Sequence, residues 1–529
     1  MIYGEMQGHA LTLDKFLDHA AKWSPDAEVV TADGGGAVRR IGYAGLRIRA
    51  RRVSGVLADL GVSLGDHVAT LAWNTAEHVE VWYAIMGMGA VCHTLNPRLT
   101  EAQLAEMIGQ SQARLLIASA DLAPLARRIA ARASTIQRIL TIGGEVEAAS
   151  GGPGTPCEAL EPRLIEARED VVWGDFDETR PAGLCFTSGT TGAPKGVTYT
   201  HRSNYLHTLR LLAADVMAIT ASERVLAAVP MFHANAWGLP FAAAAAGARL
   251  VLPGRDLDGA SLERLINGEG VTVAVGIATV WLGLVEHLEA TGGATPSLKR
   301  IIVGGAPLAP ALMARIEACL GAAIQTSWGM TELSPLGVCA PPFDPDRTAL
   351  VAGRPAFGID LLLTDAAGVP LPEQRGVEGH LRVRGAAVAA RYLGQTERAT
   401  DADGWFATGD LARLDAGGDL IITGRAKDLI KSGGEWINPV EIETVVNEHP
   451  EVSLAAVIGR DDPKWGERPL LVVQTRRSVD LSDEEILSPL RGRVAPWWIP
   501  DAVVRVDQMP LAATGKIDKM RLRVDYGGG

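Results

Sequence analysis

A stretch of ten residues, "TSGTTGAPKG", contains the side chains that a phosphate-binding loop needs. Hydroxyl groups can donate hydrogen bonds to phosphate oxygens, glycines let the backbone approach an anion closely, and a lysine adds a cation. The stretch directly follows the apolar run "AGLCF", which is typical of a buried strand that ends at a loop. The candidate phosphate-binding residues are Thr187, Ser188, Gly189, Thr190, Thr191, Gly192 and Lys195.

The Walker A pattern does not explain this loop. That pattern requires a glycine five residues after Gly189, with lysine and then Ser or Thr following it. Pro194 stands where the glycine should be, and Gly196 stands where Ser or Thr should be. Composition alone leaves one alternative open, which is a flexible linker rich in Gly, Ser and Thr.

The composition of the chain indicates a large folded protein. Of its 529 residues, 47% are hydrophobic, which excludes a disordered chain and predicts more than one domain. The net charge of -12 gives no overall basic field for nucleic acid or an anionic membrane. The five cysteines are scattered without a CxxC pair, so neither a disulfide framework nor a cysteine zinc site is predicted. No signal peptide is recognisable, and a cytoplasmic location fits the cysteine usage.

One uncharged segment, residues 225–248, is long enough to cross a membrane. Two prolines, a histidine, an asparagine and a glycine interrupt its apolar run. Because such residues disfavour a membrane-spanning helix, we predict a buried strand, a loop and an apolar helix here.

The remaining patterns predict an α/β fold. Short apolar runs that end near Gly, Ser or Asn alternate with segments of helical spacing, which indicates buried, mostly parallel strands with helices between them. From about Gly353 the strands are joined by Gly- and Asp-rich turns, which is typical of a β-rich module. The last part of the chain, about 100 residues, is long enough for a small separate α+β domain.

Five further motifs follow the loop in an order that is found in a known family. They are "GGAP", "WGMTE", "TGD", "GRAKDLIKSGGEWINPVEIE" and "ATGKI". With these motifs the chain resembles the adenylate-forming enzymes, which include acyl-CoA synthetases, luciferases and peptide-synthetase adenylation domains. The segments "CHTLNPRL", "YTHRSNYLH", "PMFHANAW" and "KSGGEWI" are most similar to those of medium-chain fatty-acyl-CoA ligases and methylmercaptopropionate-CoA ligases.

The resemblance implies two domains and a reaction in two steps. Residues 1–424 would form a large N-terminal domain of stacked α/β subdomains and a β-rich subdomain, with the ATP and acid sites. Residues 425–529 would form a small mobile domain that carries the catalytic lysine. A carboxylate would attack the α-phosphorus of ATP and release pyrophosphate, and the thiol of CoA would then release AMP from the acyl-adenylate. Both steps build negative charge on oxygens, so placed donors and Mg²⁺ should dominate catalysis.

The resemblance also implies roles for individual residues. Lys516 matches the mobile catalytic lysine, and Thr331 matches a residue that contacts the α-phosphate. Glu332 matches the carboxylate that holds Mg²⁺ on the ATP phosphates. Asp410 matches the carboxylate that accepts hydrogen bonds from the ribose, and Arg425 matches a second ribose or phosphate contact. The other ATP- or AMP-binding candidates, in which the tryptophan would offer a flat face to adenine, are Gly304, Gly305, Ala306, Pro307, Ser327, Trp328, Gly329 and Met330.

The acid and CoA sites follow from the same resemblance. The acyl-pocket candidates are His233, Trp237, Gly238 and Met330. Whether the histidine acts chemically or only lines the pocket is left open. The candidates for the CoA path are Lys431, Ser432, Gly433, Gly434 and Glu435. The predicted hinge between the two domains is Asp428.

The predicted function is that of an ATP-dependent acid:CoA ligase for a medium-chain or small hydrophobic acid. Two other enzymes remain as alternatives, an aryl-acid:CoA ligase and an enzyme that loads a carrier-protein thiol. A nucleotide sensor is a third, against which the intact Glu332, Asp410 and Lys516 argue. The expected partners are ATP, CoA and a small carboxylic acid, and a homodimer is left open.

Overall fold

The computed structural model describes residues 3–144, 154–187, 194–342, 344–476, 481–512 and 514–528. Five of the phosphate-loop candidates lie outside these ranges, namely Ser188, Gly189, Thr190, Thr191 and Gly192.

The first part of the chain forms helices and strands in alternation. Its helices are α1 (Asp14–Trp23), α2 (Tyr43–Asp59), α3 (Ala76–Gly87), α4 (Glu101–Ser111), α5 (Ala123–Arg132) and α6 (Glu161–Leu164). Its strands are β1 (Glu28–Ala32), β2 (Val38–Gly42), β3 (His67–Leu71), β4 (Val91–Thr94), β5 (Leu115–Ser119), β6 (Arg138–Ile142), β7 (Cys157–Ala159), β8 (Pro181–Thr187) and β9 (Lys195–Thr200).

The same alternation continues through the middle of the chain. The helices here are α7 (His201–Leu212), α8 (Leu239–Ala246), α9 (Gly259–Glu269), α10 (Ala278–Thr291) and α11 (Pro310–Leu320). The strands are β10 (Arg224–Ala227), β11 (Arg249–Leu252), β12 (Val273–Gly276), β13 (Arg300–Val303), β14 (Ala323–Gly329) and β15 (Leu336–Cys339).

The last part of the chain is richer in strands. These are β16 (Arg354–Pro355), β17 (Ile359–Thr364), β18 (Glu378–Gly385), β19 (Phe406–Leu414), β20 (Leu420–Arg425), β21 (Ile430–Ser432), β22 (Glu435–Ile437), β23 (Val452–Asp462), β24 (Gly466–Thr475) and β25 (Ala502–Arg505). The helices are α12 (Pro439–Val446), α13 (Asp483–Leu487) and α14 (Lys519–Tyr526).

Two large sheets form the N-terminal part of the described structure. One has the strand order β16-β15-β14-β13-β12-β10-β11-β1-β2, and the other has the order β7-β6-β5-β3-β4-β8-β9. Their central strands are parallel, whereas antiparallel pairs such as β14·β15 and β8·β9 lie toward the edges. The largest buried cluster joins residues of both sheets to residues of α1, α2, α3 and α8. Almost all of α3 and most of α8 are buried, whereas α1 and α2 bury one face and leave polar residues on the other.

Two smaller sheets follow, as the change in sequence pattern predicted. The first is the antiparallel sheet β17-β18-β19-β20, and the second has the order β22-β21-β24-β23 with β25 beside β24. Each has its own buried cluster. The predicted mixed α/β fold, with a large N-terminal and a small C-terminal part, is confirmed.

The uncharged segment 225–248 forms the elements predicted for it. It includes most of β10, a loop with a short helical turn at Ala234–Gly238, and α8. Among the described residues, no helix combines the length and the apolar character that crossing a membrane requires.

Candidate active site

The candidate residues gather at the carboxyl ends of parallel strands. His233 lies in the loop after β10, and Gly304 and Gly305 directly follow β13. Loops at this end of a parallel sheet form the usual ligand-binding crevice of open α/β folds. The motifs around His233, Gly304 and Trp328 therefore come together because β10, β13 and β14 belong to one sheet.

The carboxylate of Asp410 is held in place by two neighbouring side chains in the candidate site. Its Oδ2 accepts a hydrogen bond of 2.9 Å from Nε1 of Trp328, and its Oδ1 lies 2.8 Å from Nε of Arg425. Asp410 and Arg425 are cross-strand partners on β19 and β20, which brings their side chains to the same face. The indole of Trp328 belongs to the buried core of the β-rich subdomain and orients the carboxylate. That its face also receives adenine remains a prediction.

Asp410 is buried but keeps positive neighbours. Burial raises its pKa, and Arg425, Trp328 and Lys516 oppose this shift. A carboxylate offers about four lone-pair sites, so two engaged oxygens can still accept hydrogen bonds from hydroxyl groups of a ligand. The residue therefore has the properties expected of a ribose-binding carboxylate.

Lys516 lies beside this carboxylate although it comes from the C-terminal part of the chain. Burial and the neighbouring Arg425 lower the pKa of Lys516 to about 8, and Asp410 opposes the shift. Gly305 has a φ of +92°, and a Cβ on it would lie 3.4 Å from Cε of Lys516. The hydroxyl of Thr279 donates a hydrogen bond of 3.3 Å to the carbonyl of Gly515, which holds the lysine loop against α10. The structure thus brings the lysine to the glycine edge of β13.

Glu332 is held by tyrosines that the sequence analysis missed. The hydroxyl of Tyr392 donates a hydrogen bond of 2.8 Å to Oε1 of Glu332, and Tyr199 donates one of 2.9 Å to the carbonyl of Thr331. Burial, followed by the charge of Glu332, raises the pKa of Tyr392 above its ordinary value. Nζ of Lys195 lies 5.2 Å from the centre of the Tyr392 ring. The only local sign of Tyr392 is an aromatic residue within the otherwise polar stretch "RYLGQTER".

The phosphate loop begins and ends at paired residues. Thr187 closes β8 and Lys195 opens β9, and the two are cross-strand partners in this antiparallel pair. The two strands that flank the candidate loop lie at one edge of the seven-stranded sheet. Lys195 is joined to Glu332 through the Tyr392 ring, so both ends of the loop lie near that carboxylate.

The environment of Glu332 is compatible with one Mg²⁺. In the part of the chain that the structure describes, no group of three or more His, Cys, Asp or Glu side chains is arranged to hold a metal ion. Glu332 is buried, and its Oε1 is fixed by Tyr392. Magnesium is commonly bound by one or two carboxylates together with phosphate and water oxygens, and this donor set fits that pattern.

A left-handed turn contains Trp237, one of the acyl-pocket candidates. Ala234, Asn235, Ala236 and Trp237 have φ values of 43°, 53°, 47° and 52°. Such values are costly for residues other than glycine and persist only where packing fixes them. The turn is buried throughout, and nothing in the sequence predicted its hand.

Two glycines let the turn pack closely on its neighbours. A Cβ on Gly304 would lie 2.6 Å from Oγ of Ser327 and 2.9 Å from Cη2 of Trp237. A Cβ on Gly238 would lie 3.0 Å from Nδ1 of His207. His233, next to the turn, has its pKa lowered to about 4 by burial and then by the charge of Lys516. Its imidazole is therefore neutral at pH 7.

Other candidates lie outside this cluster. The CoA-path segment 431–435 is the hairpin of β21 and β22, and all of it except Ser432 is exposed. The backbone N–H of Gly433 donates a hydrogen bond of 2.7 Å to the carbonyl of Trp465 within the C-terminal part. Ala306 and Pro307 are also exposed, whereas Gly329 and Met330 are partly buried beside the core of the β-rich subdomain.

The predicted hinge lies between two sheets. Asp428 ends the short helical turn Ala426–Asp428, which follows β20 of the four-stranded sheet and precedes β21 of the next. Its Oδ1 accepts a hydrogen bond of 3.0 Å from Nη2 of Arg523 on α14. This position is the one expected of a residue that connects two domains.

The fold and the site together define an enzyme of the adenylate-forming type. A model of the AMP-binding enzyme family matches residues 17–393, and a model of the AMP-binding enzyme C-terminal domain matches residues 441–516. The chain belongs to the AMP-binding enzyme family. The resemblance inferred from the sequence motifs is thereby confirmed.

Similar proteins cover almost the whole chain. It is 41% identical over 533 residues to a 3-methylmercaptopropionyl-CoA ligase from Ruegeria lacuscaerulensis, which spans 99% of this chain and 98% of that relative. It is 38% identical over 534 residues to a medium-chain-fatty-acid–CoA ligase from Ectopseudomonas oleovorans, over 99% of this chain and 97% of that relative.

Solved structures with the same fold include ATP-bound MatB from Rhodopseudomonas palustris. That structure has a TM-score of 0.83 and 27% sequence identity, and it covers 98% of this chain and 99% of its own. The anthranilate CoA ligase AuaEII in complex with anthranoyl-AMP has a TM-score of 0.88 at 24% identity, over 99% of this chain and 98% of its own. At 24% identity, the similarity to AuaEII shows only that the two proteins share a fold.

Proposed function

We propose that this protein is an ATP-dependent carboxylic acid:CoA ligase that works through an acyl-adenylate. One observation carries the proposal: Lys516 lies against the glycine edge of β13, beside the paired Asp410 and Arg425. A cation at this position stabilises the negative charge that develops when a carboxylate attacks the α-phosphorus. The relatives named as CoA ligases share the whole length of the chain, which supports the same conclusion.

In the ATP site, one group of residues binds the ribose and another group binds the phosphates. Asp410, held by Trp328 and Arg425, accepts hydrogen bonds from the ribose hydroxyls. Thr187 and Lys195, with the loop between them, hold the outer phosphates. Thr331 contacts the α-phosphate. The glycine edge after β13 lets the nucleotide and the acid approach the backbone closely.

Mg²⁺ would be held by Glu332 together with phosphate oxygens. The metal would offset negative charge on the phosphates and help pyrophosphate to leave. The role of this chain is to fix the ligand, because Tyr392 orients one carboxylate oxygen and the backbone N–H of Ala389 binds the carbonyl of Glu332 at 2.7 Å. A fixed ligand loses less entropy when it binds the ion.

The acid enters the pocket beside the left-handed turn. Trp237 is buried against Gly304, and its ring forms an apolar wall. His233 is neutral at pH 7, so it lines the pocket without adding a charge that would compete with Lys516 for the substrate carboxylate. The substrate is a medium-chain or small hydrophobic acid. An aryl acid, and a carrier-protein thiol in place of CoA, are the alternatives that the assays below separate.

The second step requires a different arrangement of the C-terminal part. Except for Ser432, residues 431–435 are exposed while Lys516 lies at the site. We therefore assign residues 1–424 to the N-terminal domain and residues 425–529 to a C-terminal domain that rotates at Asp428. The rotation removes Lys516 and brings the hairpin of β21 and β22 to the CoA path.

The proposed function is tested by measuring pyrophosphate release and CoA consumption with a panel of acids. Pyrophosphate should appear with ATP and acid alone, and AMP and acyl-CoA should follow when CoA is added. For straight-chain acids each added CH₂ should contribute about 0.8 kcal/mol, or roughly fourfold in kcat/KM, until the pocket is full. A flat profile with strong preference for aryl acids would replace the aliphatic assignment, and no pyrophosphate with any acid would refute the ligase.

Glu332→Gln should lower adenylation by about 10-fold to 100-fold and raise the Mg²⁺ concentration needed for half-maximal rate. The change keeps the shape and the hydrogen bond from Tyr392 but removes the charge of a hard-cation ligand. The matched control is Glu289→Gln. It makes the same change of residue type at a partly exposed glutamate that forms an ion pair with Arg315. Both variants are titrated with Mg²⁺ in the adenylation assay. Equal Mg²⁺ dependence of Glu332→Gln and the unmodified enzyme would remove Glu332 from the metal site.

A further inference from the structure

Arg210 is an arginine buried without a counter-charge. It lies on α7 with only 6% of its surface exposed, and its Nη1 has no hydrogen-bond partner among the described residues. Burial alone lowers its pKa to about 10, with no acidic neighbour opposing the shift, so the side chain is still a cation at pH 7. Buried charges in proteins are normally paired, because leaving one unpaired is energetically costly. The arginine is therefore a group that lacks its partner.

Its position relates it to the acyl pocket. Arg210 follows His207 by three residues on α7, so the two side chains are neighbours on the helix surface. The ring of His207 packs against Gly238, the residue after Trp237, and its Nε2 accepts a hydrogen bond of 3.2 Å from the N–H of Leu336. Burial, followed by the charge of Arg210, lowers the pKa of His207 to about 3. The guanidinium thus lies about one helical turn beyond His207, near Gly358, on which a Cβ would lie 3.9 Å from its Nε and Nη2.

Two further buried donors belong to the same elements. Nδ2 of Asn204, one turn before His207 on α7, has no hydrogen-bond partner within the described ranges. The same is true of Nδ2 of Asn235 in the left-handed turn, although its Oδ1 accepts from Sγ of Cys185 at 3.3 Å. All three unpartnered atoms are donors. A buried donor without a partner is suited to a ligand that brings acceptors, and an anion is the ligand that a buried arginine favours most.

We propose that Arg210 binds a negatively charged group at the distal end of the acid, so that the preferred substrates are α,ω-dicarboxylic acids. The inference rests on the proposed ligase activity and names the substrate class of the same pocket. One carboxylate lies at Lys516 for activation, the methylene chain runs along Trp237, and the second carboxylate reaches the guanidinium past His207. No bond is made or broken at the second carboxylate, which serves only to position the substrate.

The test compares straight-chain monocarboxylic acids with the dicarboxylic acid of each same length. Adenylation kcat/KM is measured for the unmodified enzyme, Arg210→Met, Arg210→Lys and the control Arg202→Met. Arg202 is on the same helix, but its side chain is 52% exposed. At the length that spans the pocket, the unmodified enzyme should prefer the diacid by about 10-fold or more. Arg210→Met should lose that preference while its rates with monocarboxylic acids change by less than about threefold.

The conservative variant provides the second comparison. Arg210→Lys keeps the charge but loses the planar fork, so it should retain part of the preference. Arg202→Met should behave like the unmodified enzyme. If no diacid is preferred at any length, or if Arg210→Met slows both classes of acid equally, Arg210 does not bind the substrate.

Thermal unfolding gives a readout that does not depend on turnover. Without acid, Arg210→Met should unfold at the same temperature as the unmodified enzyme or higher, because it removes an unpaired buried charge. The preferred diacid, added with ATP, should raise the unfolding temperature of the unmodified enzyme more than that of Arg210→Met. A lower unfolding temperature of Arg210→Met together with a parallel loss of both classes of acid would show a purely structural role.

The two proposals fail in different ways. Pyrophosphate release with monocarboxylic acids but with no diacid would overturn the assignment of Arg210 and leave the ligase proposal intact. Pyrophosphate release with neither class would refute the ligase proposal itself.

Discussion

Lys516→Ala is expected to abolish formation of the acyl-adenylate while sparing thioester formation from a preformed acyl-adenylate. The side chain lies beside Gly305, Asp410 and Arg425, where charge develops on the reacting oxygens in the first step. Removing one such preorganised donor costs about 3 kcal/mol or more, which is a loss of roughly 100-fold or greater. In the second step as proposed above, the C-terminal domain rotates and moves the lysine away from the reaction.

The two half-reactions are timed separately, with pyrophosphate release for the first and CoA consumption for the second. Lys519→Ala is the matched control, because Lys519 is three residues away and forms an ion pair of 2.7 Å with Glu443 inside the C-terminal part. It should leave the ratio of the two rates unchanged. Equal losses in both half-reactions for Lys516→Ala would refute its assignment to the first step.

The same prediction has a pH readout. Because burial lowers the pKa of Lys516 to about 8, the lysine is a cation below that pH and becomes neutral as the pH rises through it. Adenylation kcat/KM, which reports the free enzyme, should therefore fall above about pH 8. The rate of thioester formation from a preformed adenylate should not follow the same titration. An identical fall in both would indicate a group other than Lys516.

Asp428→Pro is expected to slow CoA transfer far more than adenylation. Asp428 lies in a short helical turn, where φ is close to the value that proline imposes, so the present arrangement can be kept. Rotation requires a change in φ or ψ at the hinge, which proline prevents at φ. Proline also disfavours the helical region at Lys427, so adenylation should fall moderately, whereas CoA transfer should fall by about 100-fold or more.

Asp428→Ala distinguishes the effect of a restricted backbone at Asp428 from the effect of losing its ion pair. Asp428 also binds Arg523 at 3.0 Å, and alanine removes that contact without restricting the backbone. Both variants are assayed in both half-reactions, and unfolding curves are recorded on the same samples. A parallel fall of both rates with a lower unfolding temperature would mean that proline only destabilises the C-terminal domain.

The order of strands, helices and turns could be predicted from the sequence because their signals are local. Alternating or continuous apolar runs mark strands, and Gly- and Asp-rich turns mark the β-rich part from about Gly353. The β-rich module predicted from about Gly353 forms the strands β17, β18, β19 and β20 in the structure. The uncharged segment 225–248 could likewise be divided into strand, loop and helix, since proline and glycine interrupt it.

The contacts that complete the site could not be predicted, because they join residues far apart in the chain. Tyr392 and Glu332 are separated by 60 positions, and Trp328 and Asp410 by 82. Nothing local distinguishes these aromatic residues from ordinary core residues. The left-handed φ values of Ala234 to Trp237 could not be predicted from the sequence either, since alanine and tryptophan do not favour the left-handed region of backbone conformation.

By itself the sequence determined the type of fold, the family and the order of the catalytic motifs, since each depends on residue types at short spacing. Only the tertiary structure decided that Lys516 lies near Asp410 and Arg425, because their distance depends on how the C-terminal part of the chain packs against the rest. It also decided that Arg210 is buried, with its Nη1 unpaired among the residues that the structure describes. From the sequence alone, an arginine in a helix is expected to be a solvated charge. Its burial depends on how other parts of the chain pack around it, which the local sequence does not indicate.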